Sequence, residues 1–281
     1  MVILDNKKIR LEIAERGAEI RRCTVNGEER FSDGDPKYWS GVAPVLFPVC
    51  SGLKDDKFTI NGKSYTLAKH GFAKTMDFTV EEKGEAYAVF LLKSTPETLK
   101  SYPWEFEFRI RYTLNDEAIN VKYDIKNLSD SVMYAGLGSH EAYSCPEGIE
   151  DYDLIFERKE TLKTNILKGS VISRETETVL FESDTLPLYY KYFSVDALIF
   201  TNLKSRFVTL RNRKNGKSVS VSFPDCPYLL IWTKQDAPFV CIEPWTNCPP
   251  FEDDSYDISA KVGMSAIKPQ ENITNSHTIY F

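Results

Sequence analysis

The clearest pattern in the chain lies between residues 105 and 126. Phe106, Phe108, Ile110, Tyr112 and Leu114 alternate with Glu105, Glu107, Arg109, Arg111 and Thr113, and a period of two places the apolar set on one face of a strand. After Asn115-Asp116-Glu117 the alternation resumes, with Ile119, Val121, Tyr123 and Ile125 set against Asn120, Lys122, Asp124 and Lys126. Together the two runs predict a half-buried antiparallel hairpin.

Short alternating segments also flank Asn26-Gly27, Asn61-Gly62 and Asn215-Gly216. Type I′ turns need positive φ at both central residues, which Asn-Gly tolerates, so three further hairpins are expected. In the second, Phe58 and Ile60 face Tyr65 and Leu67; after the third, residues 217 to 223 alternate around Val219 and Val221. Only residues 96–102, Pro-Glu-Thr-Leu-Lys-Ser-Tyr, read as helical, with the proline in the first turn. Strands at this spacing without long intervening helices predict an all-β fold, a large antiparallel β-sandwich. No repeat, linker or low-complexity segment interrupts the pattern, and a single domain over residues 1–281 is expected.

Composition fits a folded chain with a large core: 42% hydrophobic and 13% aromatic residues, with an ordinary 27% charged. The net charge of -6 supplies no basic footprint for nucleic acid or an anionic membrane surface. Met1-Val2-Ile3-Leu4 turns polar at once, unlike a secretory signal, and no apolar run approaches the roughly 20 residues of a membrane helix. A cytoplasmic protein is expected, and the Asn272-Ile273-Thr274 sequon then carries no weight. The six cysteines, Cys23, Cys50, Cys145, Cys226, Cys241 and Cys248, form no C-x-x-C pair and read as buried small hydrophobes. Nothing in the sequence predicts an oligomeric state.

With three histidines in the chain, each can be weighed alone. His277 sits among apolar neighbours in a strand and reads as structural. His70 precedes Gly71-Phe72-Ala73, in a loop where glycine permits close backbone approach to a ligand; a loop-bracing histidine is the plainer reading. His140 follows the small residues Gly136, Gly138 and Ser139, which leave space beside it, although a glycine bulge at a strand end has the same appearance. Glu243 is a lone carboxylate in Phe239-Val240-Cys241-Ile242-Glu243-Pro244-Trp245. Burial there would raise its pKa towards that of a general base near neutral pH, whereas pairing with a cation such as Lys234 would make it structural. Two histidines and a carboxylate suit proton transfer without metal, and no metal is expected; a two-His-one-carboxylate metal site, the lesser alternative, uses the same residue types at a geometry that spacing does not test. Motifs for acyl transfer (G-x-S-x-G) and for nucleotide binding are absent.

Four runs then resemble one family in order and spacing: residues 43–48 (Ala-Pro-Val-Leu-Phe-Pro), Lys69-His70-Gly71-Phe72-Ala73, Gly138-Ser139-His140, and Ile231-Trp232-Thr233-Lys234 through Glu243-Pro244-Trp245. From near residue 8 onward the chain resembles the aldose 1-epimerases, in particular their LacX-like branch. The resemblance implies a galactose mutarotase-like β-supersandwich with an open groove, acting without a cofactor on a small-molecule sugar. It further implies His140 as general acid, Glu243 as general base, and His70 and Asp196 as sugar-binding residues. Trp232 and Trp245 are candidates for an aromatic face against the sugar.

Two departures stand out. Family members carry an arginine within a Gly-Arg pair after the Phe-Pro motif, where this chain reads Cys50-Ser51-Gly52-Leu53-Lys54. They also have arginine where this chain has Lys74, which keeps the charge but loses the bidentate fork. Lys54 and Lys74 are the residues available to compensate. The expected function is mutarotation of a free hexose such as galactose or glucose; the alternatives are a hexose-phosphate or other modified-aldose epimerase, and a carbohydrate-binding or sensing protein without turnover.

Overall fold

A computed structural model describes residues 1–281. Its strands form a 13-stranded sheet, a 4-stranded sheet built from Val2–Asp5, Ile9–Ile13, Ile20–Val25 and Glu28–Glu29, and two small ribbons. Every ladder between strands is antiparallel, as the alternating patterns predict. One continuous core of 63 buried residues joins Leu4, Ile9, Leu11 and Ile20 of the small sheet to Phe108, Ile110, Val121 and Val208 of the large one. The expected large antiparallel β-sandwich is therefore observed. No helix is long and apolar enough to cross a membrane.

The hairpin read at 105–126 is Phe106–Asn115 paired with Ala118–Asn127, and its burial alternates residue by residue. Asn26-Gly27 and Asn61-Gly62 have positive φ at both residues, joining Val25 to Glu28 and Ile60 to Lys63 as two-residue turns. Asn215-Gly216 departs from this. Asn215 is not in the left-handed region, and the Gly216 and Asn212 backbone amides donate to the carbonyls of Asn212 and Lys217, giving a longer loop between Phe207–Asn212 and Ser218–Ser222. The predicted helix is one turn, Thr98–Ser101, with Pro96 ahead of its first residue.

Two features of the large sheet position the groove described below. At one end, Glu141–Ser144, Phe239–Trp245 and Tyr228–Trp232 lie side by side. Further along, Asn272–Tyr280 lies between Ser218–Ser222 and Ala118–Asn127, so a strand late in the chain bridges two hairpins. All six cysteines are buried and unpaired, as expected for small apolar side chains.

Candidate active site

The register of two strands builds the centre of the site. Glu141 pairs with Ile242 and Gly138 bridges Trp245, and the same register sets His140 opposite Glu243. Gly138 is required for this approach, because a Cβ there would lie 2.5 Å from the Trp245 ring and 2.7 Å from Cys50 Sγ. The Trp245 indole N–H donates to the Ser139 carbonyl at 3.1 Å, which fixes the chain just before His140. As a result His140 Nε2 stands 3.4 Å from Glu243 Oε2.

Both groups are almost dry. Glu243 belongs to a strand buried along its whole length and is 2% exposed; the His140 side chain is 11% exposed. Burial removes water from the charged forms, so the Glu243 carboxyl is held well above the usual carboxylate range, with Asp196 and Glu141 pushing it the same way. The His140 imidazole is pushed down to about 3, chiefly by burial and then by Lys69 and Lys74. The groove residue nearest the Glu243 carboxyl by ion-pair geometry is His140, and Lys234 forms no ion pair with it.

His70 completes a three-sided arrangement, its ring 5.7 Å from that of His140 and 5.6 Å from that of Trp245. The Ser51 backbone N–H donates to His70 Nδ1 at 3.1 Å. Nδ1 is thus an acceptor, and the neutral ring carries its proton on Nε2, free to donate elsewhere. Burial holds the His70 pKa well below the ordinary histidine value and so keeps the ring in this neutral form. The glycine that follows does not serve a ligand as the sequence reading supposed. Gly71 has φ +66° and its missing Cβ would lie 2.2 Å from the Phe47 carbonyl oxygen, so it admits the Phe47 backbone.

These residues line a groove of about 610 Å³, a volume that suits a small polar ligand. His70, His140, Glu243, Asp196, Lys74, Trp232 and Trp245 all contribute to it. Asp196 enters from the turn before Leu198–Phe200. Lys74 is half-buried, with its ammonium donating to the Lys69 carbonyl at 3.2 Å, and burial lowers its pKa. The two tryptophans differ: Trp245 is 2% exposed and packs in an apolar cluster, while Trp232 is half-buried beside His140. Lys54 does not compensate for the missing arginine. Its ammonium donates to the carbonyls of Glu252 and Asp254, and it takes no part in the groove.

Sequence reasoning missed Trp39. Its indole stacks on the His140 ring at 4.7 Å and 30° and meets Trp232 edge-on at 5.4 Å. An isolated tryptophan in a turn-rich segment carries no local signal of that role. His277, read as structural, is buried and bonded through Nε2 to Glu141 Oε1 at 2.9 Å, one residue from His140.

The sequence profile of the family described as aldose 1-epimerase matches residues 1–253. The chromosomal LacX protein of Lactococcus lactis is 33% identical over 98% of this chain and 97% of its own length. A galactose mutarotase related enzyme from Lactobacillus acidophilus superposes with a TM-score of 0.94 at 32% identity, covering 99% of this chain and 96% of that one. A galactose mutarotase-like protein from Lactobacillus casei gives 0.92 at 28% identity, with 100% and 99% covered. The galactose mutarotase-like architecture is thereby established, and the chain belongs to the aldose 1-epimerase family.

Proposed function

We propose that the protein is an aldose 1-epimerase that interconverts the α and β anomers of a free hexose such as galactose or glucose. The observation that carries this reading is the 3.4 Å approach of His140 Nε2 to Glu243 Oε2 on the floor of a polar groove. In a cyclic aldose the C1 hydroxyl oxygen and the ring oxygen are bonded to the same carbon. An acid and a base that serve both atoms must therefore lie close together.

In the forward step Glu243, ionised, takes the proton of the C1 hydroxyl. The C1–O1 bond becomes a carbonyl, the bond from C1 to the ring oxygen breaks, and His140, protonated, gives its Nε2 proton to the ring oxygen. The open aldehyde rotates about C1–C2, and the reverse transfers close the ring on the other carbonyl face. Over the opening step one proton passes from imidazole to carboxyl through the sugar, leaving both side chains neutral. A dry site favours that neutral pair, so the ionised pair that starts the step forms from it and returns to it as the ring opens.

Neutral His70, with its Nε2–H free to donate, would hold a sugar oxygen, and Asp196 would accept from sugar hydroxyls. Trp232 offers the aromatic face, since Trp245 is committed to the core. A second reading, a phosphorylated hexose, is favoured by Lys69 and Lys234, which line the groove without ion-pair partners. The test is the optical rotation of freshly dissolved α-D-galactose and α-D-glucose, with galactose 6-phosphate and glucose 6-phosphate alongside. Acceleration by the wild type that falls by about 10²- to 10⁴-fold in His140→Ala supports the proposal. Saturable sugar binding with no acceleration would replace it with a sensing role.

A further inference from the structure

Two rungs from the His140–Glu243 pair, on the same face of the sheet, Ala142 lies opposite Cys241. Cys241 and Glu243 are two residues apart on one strand and so present their side chains to the same face. Ligand atoms from His140, Cys241 and Glu243 all lie within 4.8 Å of one another. Cys241 is fully buried, its thiol makes no hydrogen bond, and it packs with Ala142, Phe239, Trp39 and Trp232. A proton-transfer reaction on a sugar has no use for that thiol.

We propose that His140, Cys241 and Glu243 form a binding site for a borderline-soft divalent cation of the Zn²⁺ class, and that its occupancy blocks the acid–base pair. Nitrogen, sulfur and oxygen donors in one cluster match the ligand preferences of Zn²⁺ and its heavier congener Cd²⁺, whereas Mg²⁺ and Ca²⁺ take oxygen ligands. Bond lengths of about 2.0–2.3 Å around a tetrahedral ion require ligand atoms roughly 3.3–3.6 Å apart. The His140–Glu243 separation of 3.4 Å already meets this. The sulfur must close in by roughly 1.5 Å at most, and the residue opposite Cys241 is the small Ala142.

Three protein ligands leave a fourth position, and because His140 and Glu243 line the groove, water or a sugar hydroxyl from it would complete the shell. On binding, the Cys241 thiol loses its proton, and Glu243 loses its own where it holds one, so one to two protons are released to the buffer. The metal then occupies the lone pairs that His140 and Glu243 need for proton transfer. Metal binding stands independently of the epimerase reading; only the inhibition rests on it.

The experiment titrates the intact protein with CdCl₂, following the ultraviolet thiolate-to-cadmium absorption, with ZnCl₂ as competitor and calorimetry in two buffers of different ionisation enthalpy to count protons. One equivalent of Cd²⁺ is expected to develop the band, with proton release. In Cys241→Ser the band should vanish although five cysteines remain, and Zn²⁺ affinity should fall at least 10²-fold. His140→Ala should weaken Zn²⁺ at least tenfold while the protein stays folded by circular dichroism, which keeps the test valid if the cysteine variant does not fold. Where turnover is present, Zn²⁺ should suppress it and a chelator should restore it. A cadmium band that survives in Cys241→Ser, unchanged Zn²⁺ affinity in His140→Ala, or no saturable binding would overturn the proposal. A sugar assay that fails while the cadmium band appears would sink the epimerase reading alone.

Discussion

The indole of Trp39 lies stacked on the imidazole of His140, with 4.7 Å between ring centroids. It shields the imidazole from water and thereby sustains the burial that depresses its pKa. Trp39→Ala should lower kcat/KM for mutarotation at least tenfold and move its acid limb up towards the ordinary histidine value near 6.5. Trp39→Phe should retain most of the activity because it keeps an aromatic cover. A rate profile from pH 4 to pH 9 measures both, and an unmoved limb in Trp39→Ala would show that the stacking is only packing.

The wild-type profile has its own signature. The pair is active when it holds one proton in total, and a second proton adds only as His140 titrates at about 3. Activity should therefore persist below pH 6, with the fall beginning well under the value of a solvent-exposed histidine. At the other end the raised Glu243 sets the alkaline limb above the usual carboxylate range. A single acid limb near 6.5 would contradict the burial argument.

Glu243 is costly to the fold. Its folded pKa is raised, so the folded state favours the protonated carboxyl; the resulting stability is full below the unfolded value near 4.5 and lost as pH rises towards the folded one. Glu243→Gln should abolish turnover yet raise Tm at pH 7 by roughly 2–5 °C, and that gain should shrink at pH 4.5. Thermal melts of both proteins at the two pH values decide it.

Glu141 and His277 form the second buried pair. Glu141 Oε2 has no hydrogen-bond partner in the protein, so loss of His277 would leave the whole carboxylate unpaired in the core. His277→Ala should cost about 3–5 kcal/mol in denaturant unfolding. Glu141→Met combined with His277→Leu should recover most of it, because apolar groups need no partner. A single-variant loss under 1 kcal/mol would indicate that water reaches the pair.

Much of this was readable in the sequence where local chemistry decides the structure. The alternation at 106–127 and the turns at Asn26-Gly27 and Asn61-Gly62 express preferences of neighbouring residues, and they were realised. The candidate residues that line the groove could be picked out through motif resemblance, which carries order along the chain. What no single stretch encodes is register. That His140 faces Glu243 depends on strand pairing across a hundred residues and on the space left by Gly138. Trp39 was invisible for the same reason, as its partner is remote. The hairpin Tyr152–Lys168 and Val171–Pro187 gave no clear pattern because its outer strand pairs on one side only, shifts register repeatedly and is largely exposed.

The place of Asn272–Tyr280 in the large sheet bears on how the protein is made. Its neighbours on the two sides, Ala118–Asn127 and Ser218–Ser222, are not joined by any other ladder. During synthesis the two halves of the sheet can each form hairpins, but their facing edges stay open until residues 272–280 leave the ribosome. Those edges are where a chaperone would act or where premature pairing between nascent chains would begin. The same strand delivers His277 to Glu141, so sheet closure and the bracing of the segment beside His140 arrive together. A stalled or truncated chain lacking this strand would have neither a closed sheet nor a braced groove, however much of its earlier structure had formed.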